Sequence, residues 1–154
     1  MAQVSAGVLA YRIRPGGPEF LLAHPGGPYW ARQDEAAWSI PKGLVEEGEA
    51  HWDAAAREFA EELGSAVAGH PEPLAPVKLK SGKLIVAWMI EADFDPATLA
   101  SNEFEMEWPP RSGRMRSFPE VDRAQWFDRR TALIKIHPGQ RPLLEEAIVK
   151  LAAG

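Results

Sequence analysis

The chain reads as an α/β domain with a mixed β-sheet between helices, and three observations predict this class. Segments rich in β-formers recur from the N-terminus to about residue 128, two stretches carry apolar residues at helical spacing, and Pro/Gly clusters punctuate them. With 154 residues and 45% hydrophobic content, the chain is long enough for one domain with a real core and too short to expect two. The expected unit is therefore 1–154.

Residues 4–14 alternate loosely, and Phe20 to Ala23 follow the turn sequence Pro15-Gly16-Gly17-Pro18, which predicts a hairpin. A second Pro-Gly-Gly-Pro at 25–28 opens a connection running to about Trp38 that holds Tyr29, Trp30 and Arg32. Connections this long are often functional, so this one is a candidate substrate loop. Pro41 disfavours a helix immediately before Gly43. Trp52, Ala56, Phe59 and Leu63 recur at steps of four, three and four, the apolar stripe of an amphipathic helix. Pro71, Pro73 and Pro76 then mark a loop, after which Val77–Lys80, a Ser81-Gly82 turn and Lys83–Glu91 read as a hairpin. Phe104, Met106 and Trp108 alternate with Glu103, Glu105 and Glu107, as an amphipathic strand with a wet glutamate face would. Arg123–Asp128 predicts a short strand. From Pro142 onward, Leu143, Leu144, Ala147, Ile148 and Leu151 form a terminal core helix.

Composition excludes several kinds of chemistry. The net charge of −5, from 17 basic and 22 acidic residues, gives no global attraction to nucleic acid or anionic membranes, so any polyphosphate must be met locally. With no cysteine there is no disulfide, thiolate zinc site or Cys nucleophile. No basic segment with an apolar signal core and no apolar span is present, which makes a cytoplasmic protein the default expectation. His24, His51, His70 and His137 lack zinc spacing and are expected on the surface or in loops. GxGxxG, P-loop and GxSxG patterns are absent.

Chemistry concentrates on the first helix. Glu58, Glu61 and Glu62 are three and four positions apart, so their carboxylates share the side facing away from the apolar stripe. Two readings stay open at this point. One is a solvated face with an Arg57–Glu61 pair worth about 0.2–0.5 kcal/mol. The other is a divalent-metal site, because Mg²⁺ and Mn²⁺ take hard oxygen ligands while keeping waters and sharing positions with substrate phosphates.

The wider segment favours the second reading. Gly43, five residues, Glu49, seven residues, then Arg57-Glu58-Phe59-Ala60-Glu61-Glu62-Leu63-Gly64 resembles the signature box of the Nudix hydrolases, which cleave nucleoside diphosphates linked to another moiety. Ser65 stands where that pattern usually has an apolar residue. The resemblance implies a Nudix-type α/β/α sandwich. It also implies that Glu58 and Glu62 bind Mg²⁺ or Mn²⁺ directly, with Glu61 as a nearby ligand or acting through water and the Gly43 carbonyl completing the site. Arg57 then orients a glutamate, Glu49 braces the loop before the helix, and Gly64 caps the helix. Trp38-Ser39-Ile40-Pro41-Lys42-Gly43 is similar to the approach to the box in the dinucleoside polyphosphate (Ap4A) hydrolase branch, where the lysine lies near the phosphate chain. Glu120, six residues before Trp126, is placed like the late glutamate that many family members bring to the metals. The implied reaction is metal-assisted hydrolysis of a pyrophosphate linkage, with Glu120 or a helix glutamate taking the proton of the attacking water.

For a small-molecule nucleotide, Tyr29, Trp30 and Trp38 are candidate base platforms, with core burial as the competing role for the tryptophans. Arg111, Arg114 and Arg116 belong either to a polyphosphate contact or to a solvated loop. Alternative functions are action on an RNA 5′ end, which the negative charge disfavours, and a non-catalytic nucleotide-binding module, which would not need every box glutamate. The sequence is silent on oligomeric state.

Overall fold

The structure, a computed structural model, describes residues 3–153. In chain order these form β1 (Val4–Arg14), β2 (Gly17–Pro25), β3 (Lys42–Leu44), α1 (His51–Leu63), β4 (Glu72–Pro73), β5 (Val77–Lys78), β6 (Leu84–Glu91), β7 (Glu103–Glu107), β8 (Met115–Pro119), β9 (Val121–Asp128), α2 (Arg129–Lys135) and α3 (Arg141–Ala153). The main sheet runs β4-β6-β1-β2-β9, with β3 added to β1 and β5 to β6, while β7 and β8 form a separate ribbon. β1 and β6 are parallel and the other pairs antiparallel, so the sheet is mixed as expected.

Helices cover both faces of the sheet, and the β1 side chains show why. Ala6, Val8 and Ala10 point to one side, where they pack with Ala54, Ala55, Phe59 and Leu63 of α1. Leu9 points to the other, against Ala132 of α2 and Leu143, Leu144 and Ala147 of α3. A strand covered twice needs apolar residues at successive positions, which explains the loose alternation in the sequence. Burying a leucine or phenylalanine in this way contributes about 1.5–3 kcal/mol, and Leu9, Leu63 and Leu143 have no exposed surface. Among the described residues, no helix is long and apolar enough to cross a membrane.

Several elements differ from the sequence reading. β2 starts at Gly17, which pairs with Arg14, so only Pro15 and Gly16 connect the strands. α2 is absent from the reading because seven residues with one fully buried side chain, Ala132, give no periodicity; Asp128 starts the helix by accepting from the Thr131 N–H at 2.8 Å. The α1 stripe is rotated slightly, since Ala54, Ala55, Phe59 and Leu63 are buried while Trp52 and Ala56 are half-buried. α1 ends at Gly64, whose φ of 83° suits a residue without Cβ and whose N–H donates to Ala60 O at 2.8 Å. Ser65 beyond it is exposed, and Val67 supplies the apolar contact with the α1 core.

One irregularity of the sheet creates the site. β1 and β2 pair only between Tyr11–Arg14 and Gly17–Phe20. Beyond that point the segment 39–44 wedges between them: Ser39 and Ala23 exchange backbone hydrogen bonds of 2.8 and 2.9 Å, Val8 N donates to Pro41 O at 3.1 Å, and β3 lies against Ser5–Gly7. The fit is close enough that a Cβ on Gly7 would stand 2.7 Å from Pro41 O. This wedge sets Lys42 and Gly43 under the flank of α1.

Candidate active site

The glutamate face of α1 does not look away into solvent, as helical spacing alone suggested. It turns onto β3, because the apolar stripe docks the helix low across the sheet. The Glu58 carboxyl lies directly over Gly43: a Cβ there would come within 2.0–2.2 Å of its carboxyl atoms. Only glycine permits this approach, and the Glu58 side chain is left 12% exposed.

Arg57 fixes the arrangement. Its Nε and Nη2 donate to the two oxygens of Glu49 at 2.9 and 3.0 Å, Nη1 donates to Glu58 at 2.9 Å and Glu61 at 3.2 Å, and Nη2 also reaches Leu44 O at 3.1 Å. Glu49 in turn accepts from the Glu46 N–H at 3.0 Å, which closes the loop between β3 and α1. A planar guanidinium with its donors so committed is a rigid template rather than a mobile counter-ion. Arg57 is accordingly held more firmly protonated than usual, chiefly by Glu49, and Glu49 is pushed down to about 2, chiefly by its hydrogen bonds from Arg57.

The remaining carboxyls shift the other way. Glu62 is pushed up to about 8, first by burial and then by the Glu58 carboxylate; Lys42 opposes the shift and Glu120 adds to it. Glu58 is raised by burial against the pull of Arg57, with Glu61 and Glu120 contributing. Glu120 is raised by burial and by Glu61. Lys42 is lowered, by burial first and by Lys83 next. Burial is the first cause of all four shifts, and the mutual repulsion of Glu58, Glu61, Glu62 and Glu120 adds to it for the acids, so the site holds ionisable groups withdrawn from water that a bound cation would favour in their charged form.

Oxygen-only donors grouped beside a glycine cradle fit a hard divalent cation. Among the described residues, no three His, Asp or Glu side chains already converge on one ligating point; Arg57 engages Glu58 and Glu61 itself.

Beside these acids opens a cleft with two lobes, both bounded by Pro25, Trp30, Glu62 and Glu120. The narrower, about 250 Å³, is finished by Ser39, Lys42, His137 and Gln140. The wider, about 510 Å³, is finished by Gly27, Tyr29, Phe104 and Met106. Glu120 is carried there by the end of the β7–β8 ribbon, where its N–H donates to Asn102 O at 2.8 Å and its carbonyl accepts from Gly26 N at 2.9 Å.

A family model described as NUDIX domain matches residues 1–147. The chain belongs to the Nudix family.

With its box glutamates in place, it is a Nudix pyrophosphohydrolase. Solved structures agree on the fold. The C. elegans Ap4A hydrolase, solved as a binary complex, is 22% identical over 97% of this chain and 99% of its own, with a TM-score of 0.69. The NUDIX domain of Shewanella oneidensis NrtR, complexed with ADP ribose, is 14% identical over 98% and 89%, with a TM-score of 0.66. The E. coli ORF135 protein is 27% identical over 99% and 94%, with a TM-score of 0.61. No curated protein matches the chain.

Against this Nudix framework, the structure brings Lys42, Gly43, Glu49, Arg57, Glu58, Glu61, Glu62 and Glu120 together along one flank of α1, with Trp30, 42% exposed, across the cleft. Trp38 is a correction. It is 2% exposed, packs edge-on against Phe127 at 5.0 Å and donates from Nε1 to Asp34 at 2.9 Å, so it is a core residue with no face open to a base. Arg111, Arg114 and Arg116 line neither lobe of the cleft and are exposed. His24 corrects a second expectation, being fully buried rather than on the surface. Ser39, Phe104, Met106, His137 and Gln140 line the cleft without having been singled out for it. Gln140 accepts from Ile40 N at 3.0 Å and donates to Ser39 Oγ at 2.9 Å, a hundred residues away in the chain, and no local pattern signals such a contact.

Proposed function

We propose that this Nudix protein hydrolyses a pyrophosphate linkage in a nucleoside diphosphate derivative, with a dinucleoside polyphosphate as the favoured substrate and Mg²⁺ or Mn²⁺ as cofactor. The observation that carries the reading is that Glu62 and Glu120 stand on the wall shared by two lobes of one cleft, with Glu58 and Glu61 beside them on the same face of α1. A substrate with substituents on both sides of its phosphates fits two lobes separated by acids, and the likeness to a C. elegans Ap4A hydrolase supports the same choice.

Each residue has a role. Glu58, Glu62, Glu61 and the Gly43 carbonyl are the oxygen donors for the cation. When bound, that cation polarises phosphoryl oxygens and lowers the pKa of the attacking water. Lys42, beside Glu62 on β3, meets the phosphate chain in the narrower lobe. Glu120, held above the ordinary carboxyl range by burial and Glu61, is suited to take the proton of that water. Arg57 and Glu49 position Glu58 and Glu61. Trp30, with Phe104 and Met106 beside it, offers the ring surface on which a base stacks, a contact worth about 1–3 kcal/mol.

The test is a screen of dinucleoside polyphosphates, nucleoside triphosphates, nucleotide sugars, ADP-ribose and RNA 5′ ends with Mg²⁺, with products resolved by chromatography. Efficient turnover of diadenosine tetraphosphate supports the reading. Turnover confined to RNA ends, or none with any phosphoanhydride, rejects it.

A further inference from the structure

We propose that His24 is a positioning residue that latches the connection between β2 and β3 and thereby fixes Trp30 as a wall of the cleft. His24 sits on β2 with no exposed surface. Its Nε2 lies 2.6 Å from the Gln33 carbonyl, and its Nδ1 lies 2.8 Å from Asp122 Oδ1 on β9. A carbonyl oxygen only accepts, so Nε2 is the donor there, and the carboxylate holds the other edge of the ring. Gln33 N then donates to Trp30 O at 2.9 Å, and Trp30 N to Gly27 O at 3.3 Å. A continuous chain of hydrogen bonds therefore runs from Asp122 through His24 and Gln33 to the backbone of Trp30.

The ends of the connection are tied elsewhere, by Gly26 N to Glu120 O at one end and by Ala36 N to Ile134 O and the Asp34–Lys135 ion pair at the other. Between them, among the described residues, His24 makes the one hydrogen bond that joins 28–33 to the rest of the protein. Tyr29 adds a van der Waals contact on Trp108, with ring centroids 5.4 Å apart. The ring of Trp38, edge-on to His24 at 5.1 Å, seals the latch from the interior side. A histidine serving the core alone needs no partner in a surface connection; this one spends a ring nitrogen on the segment that carries Trp30.

The effect on substrate rests on the function proposed above, and the latch is tested without it. Gln places an amide nitrogen near the position of Nε2, whereas Asn places one near Nδ1, so H24Q keeps the bond to Gln33 and H24N loses it. In substrate-free protein, hydrogen exchange of the Trp30 and Gln33 amides, the two in this segment that donate to acceptors, is expected to quicken roughly tenfold in H24N, the effect of about 1.4 kcal/mol, with α1 and β6 amides unchanged and H24Q close to wild type. With diadenosine tetraphosphate, KM rises roughly tenfold in H24N while kcat changes less than about threefold, and H24Q restores it. If H24N does not fold, Asp122→Ala, at a partly exposed position, is expected to loosen the same amides. Equal exchange in H24N and H24Q, or a loop no looser in Asp122→Ala, overturns the latch. If exchange behaves as expected and wild type turns over no dinucleoside polyphosphate, the latch stands and the substrate reading falls.

Discussion

Glu62 carries the largest unresolved electrostatic burden in the cleft: a carboxyl at about 8, pressed by burial and Glu58 and only partly relieved by Lys42. A group so placed costs stability when ionised alone and is useful when a cation joins it. Replacing it by glutamine keeps shape and removes the donor charge. Glu62→Gln is expected to lower Mg²⁺-dependent turnover at least about a hundredfold with an unchanged circular dichroism spectrum. Wild-type activity in that variant removes Glu62 from the mechanism. Lys42 and Glu120 face the same lobe from the wedge and from the ribbon. Lys42→Ala is expected to raise KM, and Glu120→Gln to lower kcat and flatten the acidic limb of its pH profile, each by roughly tenfold or more. Unchanged steady-state kinetics in either variant excludes that residue from the site.

At the scale of elements, α1 and the 39–44 wedge form one device, because the glutamate face has value only where β3 passes beneath it. Gly43→Ala tests this. The new Cβ would stand 2.0 Å from the Glu58 carboxyl carbon, the far end of a flexible side chain, so Glu58 swings aside while the backbone stays. Thermal stability is expected to move by no more than about 1 kcal/mol and turnover to fall at least tenfold, as differential scanning calorimetry and kinetics on one preparation will show. A fully active Gly43→Ala protein contradicts the cradle. The same pair of elements shows what a sequence displays. The α1 stripe, its Gly64 cap and the box spacing are local, and helical periodicity fixes them before any tertiary contact is known. The wedge is not local: it exists because Ala23, Val8 and Pro41 meet across a sheet whose first hairpin stops short. For the same reason, spacing could not tell that the glutamates face β3, that Trp38 is enclosed by Phe127 and His24, or that Gln140 braces Ile40. α2 escaped notice because seven residues span too few turns to show a period.

Across the whole molecule, the shifted carboxyls make metal-free stability depend on pH, and the direction follows from which state binds protons more tightly. Glu62 at about 8 lies above the ordinary 4.5, and Glu58 and Glu120 are raised as well, so the folded protein loses stability as pH climbs from about 4.5 through 8. Glu49, at about 2, acts oppositely: its contribution is present above 4.5 and fades as pH falls towards 2. The metal-free protein is therefore expected to be most stable near pH 5 and to weaken towards pH 8. A divalent cation binds the deprotonated acids and must displace the Glu62 proton, so its benefit grows over that same interval. At a Mg²⁺ concentration one hundred times its Kd, linkage supplies about 2.7 kcal/mol, or roughly 5–10 °C in Tm for a chain of this size. Scans at pH 6 and pH 8, each with chelator or Mg²⁺, should show the larger Mg²⁺ shift at pH 8, and Glu62→Gln should shrink the difference between the two pH values. Equal Mg²⁺ shifts at both pH values would mean that the cation does not compete with protons at these carboxyls, and the assignment of Glu58 and Glu62 as its donors would fall with that result.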